Sequence, residues 1–126
     1  MKTLIFLFTS LVLSAYLSCG PTFESEIKEL HANSRQAGDE VAPKLEALTQ
    51  RANSINIQGR ALTQEEIEFT GQVASLQETF AQWNKDMEKA EAMQPTKKRF
   101  DLEQKLNEAI GAFVRQVEAL APRPGI

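Results

Sequence analysis

The stretch TQEEIEFTGQVASLQETFAQWNKDMEKA, residues 63–90, decides the fold of this chain. Its first four residues predict a capping box, in which Thr63 and Glu66 each hydrogen-bond to the other's backbone at the start of a helix. Leu62 and Ile67 flank this box as a hydrophobic staple. The spacing after the box alternates between four and three residues, which predicts an amphipathic helix over 64–93. Its inward residues are Phe69, Val73, Leu76, Phe80, Trp83, Met87 and Ala90.

A similar apolar stripe runs through residues 23–56, with Thr22 as the predicted N-cap. One step of the stripe is irregular and contains Pro43, so we expect a kink there, the alternative being two separate helices. Ser34 and Ala37 are small inward residues, so that part of the helix either packs loosely or faces a partner chain. The predicted inward positions are Ile27, Leu30, Ser34, Ala37, Val41, Leu45, Leu48, Ala52 and Ile55.

A third stripe predicts a helix over 95–121. Pro95 can begin it, because the N–H groups of the first turn have no partner within the helix and the missing N–H of proline costs nothing there. Residues 122–126 are predicted to be a flexible tail. The connections are short, and Gly59 in the first of them suits a left-handed turn. Short connections make neighbouring helices antiparallel, so the sequence predicts an all-α, up-down-up three-helix bundle, or antiparallel coiled coil, over 23–121. The third set of inward residues is Leu102, Leu106, Ile110, Phe113, Val117 and Leu120.

An apolar leader precedes the helices. Its apolar run, residues 4–17, is shorter than the roughly 20 residues of a membrane-spanning helix. Its length and the preceding Lys2 therefore predict a cleaved signal peptide over 1–18.

The end of this leader, Ser18-Cys19-Gly20, resembles a bacterial lipoprotein signal, in which cleavage leaves a lipidated N-terminal cysteine. Cys19 is the only cysteine in the chain, and lipidation would account for a thiol that has no internal partner. Residues 19–22 would then form a short tether after acylation of Cys19, for example with palmitate. Two alternatives are cleavage after Ala15, which gives a soluble exported protein with a free thiol, and an uncleaved apolar anchor.

The charge of the mature chain restricts its partners. Removal of residues 1–18 leaves 13 basic and 17 acidic residues, a net charge of −4. An acidic chain lacks the basic face expected of a nucleic-acid-binding protein. Nucleic acid is therefore not a predicted partner. The predicted partners are membrane lipid, through the acylated Cys19, and a protein partner or a second copy of the chain.

Few residues in the predicted bundle suggest chemistry. No nucleophile motif and no phosphate-binding glycine loop is present. His31 is the only histidine, and a lone histidine beside a stripe is interpreted as a surface or boundary residue rather than a haem or metal ligand. No two acids are predicted to face inward, which argues against an enzyme, and no metal site or cofactor is predicted. The acids are instead predicted to pair along helix surfaces, as Glu24–Lys28, Glu40–Lys44 and Asp101–Lys105.

Two further features have alternative interpretations. Lys97-Lys98-Arg99 is interpreted as a solvated turn, the alternative being contact with an acidic surface. Phe80, Trp83 and Met87 share one stripe and are interpreted as core. If the bundle leaves them open, they form a partner-binding stripe, since aromatic residues and methionine are enriched at interfaces.

His31, Asp39-Glu40-Val41, Pro43-Lys44 and the Phe80–Met87 stretch resemble a group of small helical lipoproteins from Bacteroidetes. Automatic annotation often labels that group "viral A-type inclusion protein". The chain departs from the group's pattern at Ala42, where methionine is usual, and at Lys85. The resemblance covers residues 19–93 and implies an envelope lipoprotein without a catalytic role.

These observations predict a lipid-anchored, non-catalytic lipoprotein of the bacterial envelope, with the outer membrane favoured over the inner. The alternative is a secreted or periplasmic soluble bundle with a binding or chaperone-like role, which could be homo-oligomeric.

Overall fold

The computed structural model describes residues 23–120, which form three helices: α1 (Glu24–Asn56), α2 (Gln64–Glu91) and α3 (Lys97–Leu120). Each helix packs against both of the others. The predicted all-α three-helix bundle is therefore confirmed. The leader, Cys19 and the predicted tail at 122–126 lie outside the described residues.

Helix α1 runs unbroken through Pro43, so the alternative of two helices is wrong. Proline has no N–H to donate to the carbonyl of Asp39 one turn earlier, and the bend expected from this loss stays a prediction. The predicted N-cap is also wrong: Phe23 occupies that position, without a side-chain cap, at a φ of 63°. Its ring packs against Phe100 of α3, with ring centroids 5.2 Å apart.

Helix α2 begins as its sequence predicts. Thr63 Oγ1 accepts a hydrogen bond from the Glu66 backbone at 3.1 Å, and the Thr63 backbone donates to Glu66 Oε1 at 2.9 Å. Leu62 packs against the core, whereas Ile67 stays 51% exposed. The capping box is confirmed, and Gly59 adopts the expected left-handed geometry, with a φ of 73°.

Helix α3 begins two residues later than predicted. Pro95 lies in the connection, and the first backbone hydrogen bond of the helix runs from Phe100 to the carbonyl of Thr96. Helix α2 ends at Glu91, before the predicted limit of 93.

The three stripes meet in one continuous core. Leu30, Ala37, Phe80 and Leu102 are the predicted inward residues that stay partly exposed. Gly38 and Glu103 are buried although neither was predicted to be. The buried apolar residues of this core are Val41, Leu45, Leu48, Ala52, Ile55, Phe69, Val73, Leu76, Trp83, Met87, Ala90, Leu106, Ile110, Phe113, Val117 and Leu120.

The up-down-up order gives the bundle two ends. We call the first turns of α1 and α3, with the last turns of α2, the polar end. The last turns of α1 and α3, with the first turns of α2, are the apolar end. The names refer to the side chains that lie between the helices.

Candidate functional site

A buried glutamate lies at the centre of the polar end. Glu103 is 0% exposed, and both of its carboxylate oxygens lie 3.0 Å from Nδ1 of His31 on α1. Arg99 Nε, one turn earlier on α3, donates to Glu103 Oε2 at 3.1 Å. A carboxylate can be buried when such charged or polar partners replace its water.

Arg99 also closes the connection between α2 and α3. Its guanidinium donates to the carbonyl of Met93 at 3.1 Å, and its side chain is only 16% exposed. The interpretation of Lys97-Lys98-Arg99 as a solvated turn is therefore wrong for Arg99. Lys97 remains at the surface, where it pairs with Asp101 at 3.0 Å.

The second ring nitrogen of His31 contacts α2. Nε2 lies 2.9 Å from Glu91 Oε2, and Arg35 lies 3.8 Å from the same oxygen. The hydrogen bond from His31 is the main reason why the pKa of Glu91 is lowered from its usual value, and the charges of His31, Arg35 and Arg99 act in the same direction. His31 thus joins a carboxylate on each of the two other helices.

We call His31, Arg35, Glu91, Arg99 and Glu103 the polar network. It contains the titratable and charged side chains that meet around His31 from all three helices. Glu103 and Arg99 are mostly enclosed, whereas the Glu91 side chain is 53% exposed. The network therefore extends from the interior of the bundle to its surface.

An aromatic layer lies next to the polar network. Trp83 Nε1 donates to the carbonyl of Leu106 at 3.0 Å, and Phe80 stacks between Trp83 and Phe113. The guanidinium carbon of Arg35 lies 5.7 Å from the centre of the Trp83 ring, within the range of a cation–π contact.

Trp83 needs a glycine opposite it. A Cβ at Gly38 would lie 2.7 and 2.8 Å from two carbons of the Trp83 ring, closer than van der Waals contact allows. One turn earlier, Ser34 is fully buried, and its hydroxyl has no hydrogen-bond partner among the described residues. The small residues of α1 therefore face the interior of this bundle, where Gly38 leaves space for the Trp83 ring. The expectation that Ser34 faces a partner chain thus loses its support from packing.

The predicted partner-binding stripe lies mostly inside the bundle. Trp83 is 5% exposed and Met87 is 0% exposed, while Phe80 is partly exposed. The structure agrees with the interpretation of these three residues as core. A binding surface there would require an exposure that Trp83 and Met87 do not have.

The polar network was missed by the sequence analysis. The prediction that acids stay on the surface is wrong for Glu103, which directly follows the stripe residue Leu102. The Arg99–Glu103 spacing of four residues was an available signal, since it places the two side chains on one face of α3.

Two of the predicted surface pairs differ from the observed ones. Asp101 pairs with Lys97 rather than Lys105, and Lys44 reaches Glu118 of α3 at 3.1 Å rather than Glu40. Glu40 instead accepts a hydrogen bond from Gln36 at 3.2 Å.

Two open grooves lie away from the polar network. One, of about 390 Å³, runs between α2 and α3 near the apolar end, and the other, of about 360 Å³, runs between α1 and α3. The first is lined by Gln72, Ser75, Leu76, Gln116, Ala119 and Leu120. Neither groove contains a member of the polar network.

Within residues 23–120, no group of three or more histidine, cysteine or acidic side chains is arranged to hold a metal ion. The three described helices are also not apolar enough over a sufficient length to cross a membrane. The polar network can connect the three helices through side-chain hydrogen bonds. Its histidine ring can hold a proton between the carboxylates of Glu103 and Glu91.

Comparison of the chain with models of known protein families, with curated proteins and with solved structures gave no match.

Proposed function

We propose that this chain is a lipid-anchored lipoprotein of the bacterial envelope that acts by binding or as a structural element, without catalysis. The observation that carries the proposal is the leader, in which an apolar run is followed by Ser18, the lone Cys19 and Gly20. Each methylene of an acyl chain that enters a bilayer contributes about 0.8 kcal/mol, so several chains on Cys19 would hold the protein there stably.

The position of the bundle along the chain fits such an anchor. Helix α1 begins at Glu24, five residues after Cys19, and this distance spans at most roughly 18 Å when extended. An anchored bundle would therefore stay close to the bilayer, with its polar end nearer to the lipid than its apolar end.

The experiment follows processing of the full chain in a bacterial host. Cys19→Ala, or globomycin with the unchanged chain, should leave the precursor uncleaved, and the Cys19→Ala variant should incorporate no labelled palmitate. Ser18→Ala is the matched control, because it keeps a small residue before the cysteine and should be processed and labelled normally.

The mass of the mature protein separates the alternatives. Lipidation gives residues 19–126 plus acyl chains in the membrane fraction. Cleavage after Ala15 gives unmodified residues 16–126 in the soluble fraction, insensitive to globomycin, and this result would replace the anchor with the soluble alternative. An unmodified full-length chain in the membrane would indicate an uncleaved leader.

A further inference from the structure

The number of protons on the His31 ring decides how many hydrogen bonds it can donate to the two neighbouring carboxylates. A neutral imidazole has one N–H donor and one nitrogen acceptor, whereas an imidazolium donates from both nitrogens. Nδ1 lies 3.0 Å from both oxygens of Glu103, and Nε2 lies 2.9 Å from Glu91. Both contacts with ionised carboxylates are therefore satisfied only when the ring carries two protons.

The two carboxylates differ in what they can do when the ring loses a proton. Glu103 is 0% exposed and is held by Arg99, so it cannot turn towards water. The side chain of Glu91 is 53% exposed and can do so without being buried unpaired. The neutral ring is therefore best accommodated with its proton on Nδ1, facing Glu103, and with Nε2 presenting a lone pair to Glu91.

We propose that His31 and Glu91 form a pH-operated latch, which holds the last turn of α2 against α1 when the ring is charged and releases it when the ring is neutral. Histidine is the side chain that ordinarily changes its charge between pH 5 and 8. The latch acts locally, because Glu103 keeps its contacts with Nδ1 and Arg99 in both states.

The other charged groups of the polar network set the direction of the change. Glu91 keeps its negative charge over this pH range, because its ordinary pKa of 4.5 already lies below pH 5 and the hydrogen bond from His31 lowers it further. Arg35, on α1 and 3.8 Å from Glu91, and Arg99, on Glu103, stay positive throughout, so opening removes only the contact between Glu91 and His31. The proposed latch therefore opens as the pH rises. This inference does not depend on whether Cys19 is lipidated.

Amide hydrogen exchange of the full chain in a non-ionic detergent, measured at pH 5.5 and 8.0 and corrected for intrinsic exchange rates, tests the latch. Peptides that cover residues 84–93 should lose about tenfold in protection at the higher pH, as expected for loss of one hydrogen bond between charged groups. Peptides that cover residues 64–76, at the other end of α2, should keep their protection.

Glu91→Gln is the decisive variant, because an amide can accept from a charged ring and donate to a neutral one. Its protection over residues 84–93 should be the same at both pH values. His31→Gln should also be insensitive to pH. Glu88→Gln is the matched control: it removes an exposed acid one turn earlier on α2 and should keep the response of the unchanged chain.

Three results would overturn the latch. They are equal protection of the unchanged chain at the two pH values, an undiminished response in Glu91→Gln, or an equal loss of protection over residues 64–76. If His31→Gln does not fold, Glu91→Gln still decides the question, because Glu91 lies at the surface.

Discussion

The two ends of the bundle use the same three helices but different physics. At the polar end, His31 of α1 connects the helices through side-chain hydrogen bonds to Glu103 of α3 and Glu91 of α2. At the apolar end, Ile55, Phe69 and Leu120 fill the space between the helices. Apolar burial does not depend on proton positions, whereas charged hydrogen bonds depend on geometry and protonation. In the proposed latch, only the polar end depends on protonation, so that end of this small domain responds to pH and the apolar end does not.

The largest effect is expected from truncation at the apolar end. Phe69 is 1% exposed, so Phe69→Ala removes a fully packed ring and should lower the free energy of unfolding by about 3–5 kcal/mol. Urea unfolding followed by circular dichroism should give the same loss at pH 5.5 and 8.0. The exposed neighbour Glu68 provides the control, since Glu68→Ala should change stability by less than about 0.5 kcal/mol. A loss for Phe69→Ala that differs between the two pH values would break the comparison.

Removal of the buried carboxylate is expected to have the next largest effect. Glu103→Ala leaves Arg99 and His31, each 16% exposed, without their shared partner, and should cost about 3 kcal/mol. Replacement of all three groups, as His31→Leu, Arg99→Met and Glu103→Leu together, should recover most of this loss, because no uncompensated charge remains. Chemical unfolding of both variants measures the difference. A triple variant as unstable as Glu103→Ala would show that apolar side chains cannot replace the polar network.

Smaller changes in stability, of opposite sign, are expected when two glycines are replaced by alanine. Gly38→Ala pushes a methyl group against Trp83, whose ring is fixed by its hydrogen bond to Leu106. The net loss should be about 1–2 kcal/mol, since overpacking costs about 1–3 and alanine regains part of this through its helix propensity. Gly71→Ala, at a position with no atom within 4 Å of the added Cβ, should instead stabilise α2 by about 0.5–1 kcal/mol. Thermal unfolding of both variants should therefore give shifts of opposite sign.

The smallest of the expected losses of stability is at the cap of α2. Thr63→Ala removes the side-chain acceptor for the Glu66 backbone and should cost about 1 kcal/mol. Thr70→Ala is a suitable control, because that hydroxyl bonds only to carbonyls within its own helix. An equal loss in the two variants would mean that the cap has no special role.

Acid should weaken the same cap. Hydrogen bonds from Arg60, at 2.6 and 2.8 Å, lower the pKa of Glu66 from 4.5 to about 2. The contribution of Glu66 to stability is therefore complete above pH 4.5 and is lost as the pH falls towards 2. Glu66→Gln should remove this part of the acid dependence, as measured by amide exchange in the first turn of α2. Unchanged acid dependence in that variant would exclude Glu66 as its source.

The helices could be predicted because their signals are local. The capping box of Thr63 and Glu66 and the alternating stripe after it lie within one continuous segment, and both were confirmed. The polar network depends instead on His31 and Glu103, which lie 72 positions apart in the sequence. A local spacing pattern cannot show that two such distant residues meet. Gly38 illustrates the same limit. The sequence around it in α1 gives no sign that it admits Trp83 from another helix.

Trp83 also provides a single fluorescent reporter inside the bundle. It is the only tryptophan in the chain, and it lies between the polar network and the rest of the core, with its indole N–H bonded to the carbonyl of Leu106. Indole emission shifts to longer wavelengths when water reaches the ring. A red shift on raising the pH would therefore show opening that extends from the latch into the aromatic layer, and constant emission would show that the opening stops at the last turn of α2.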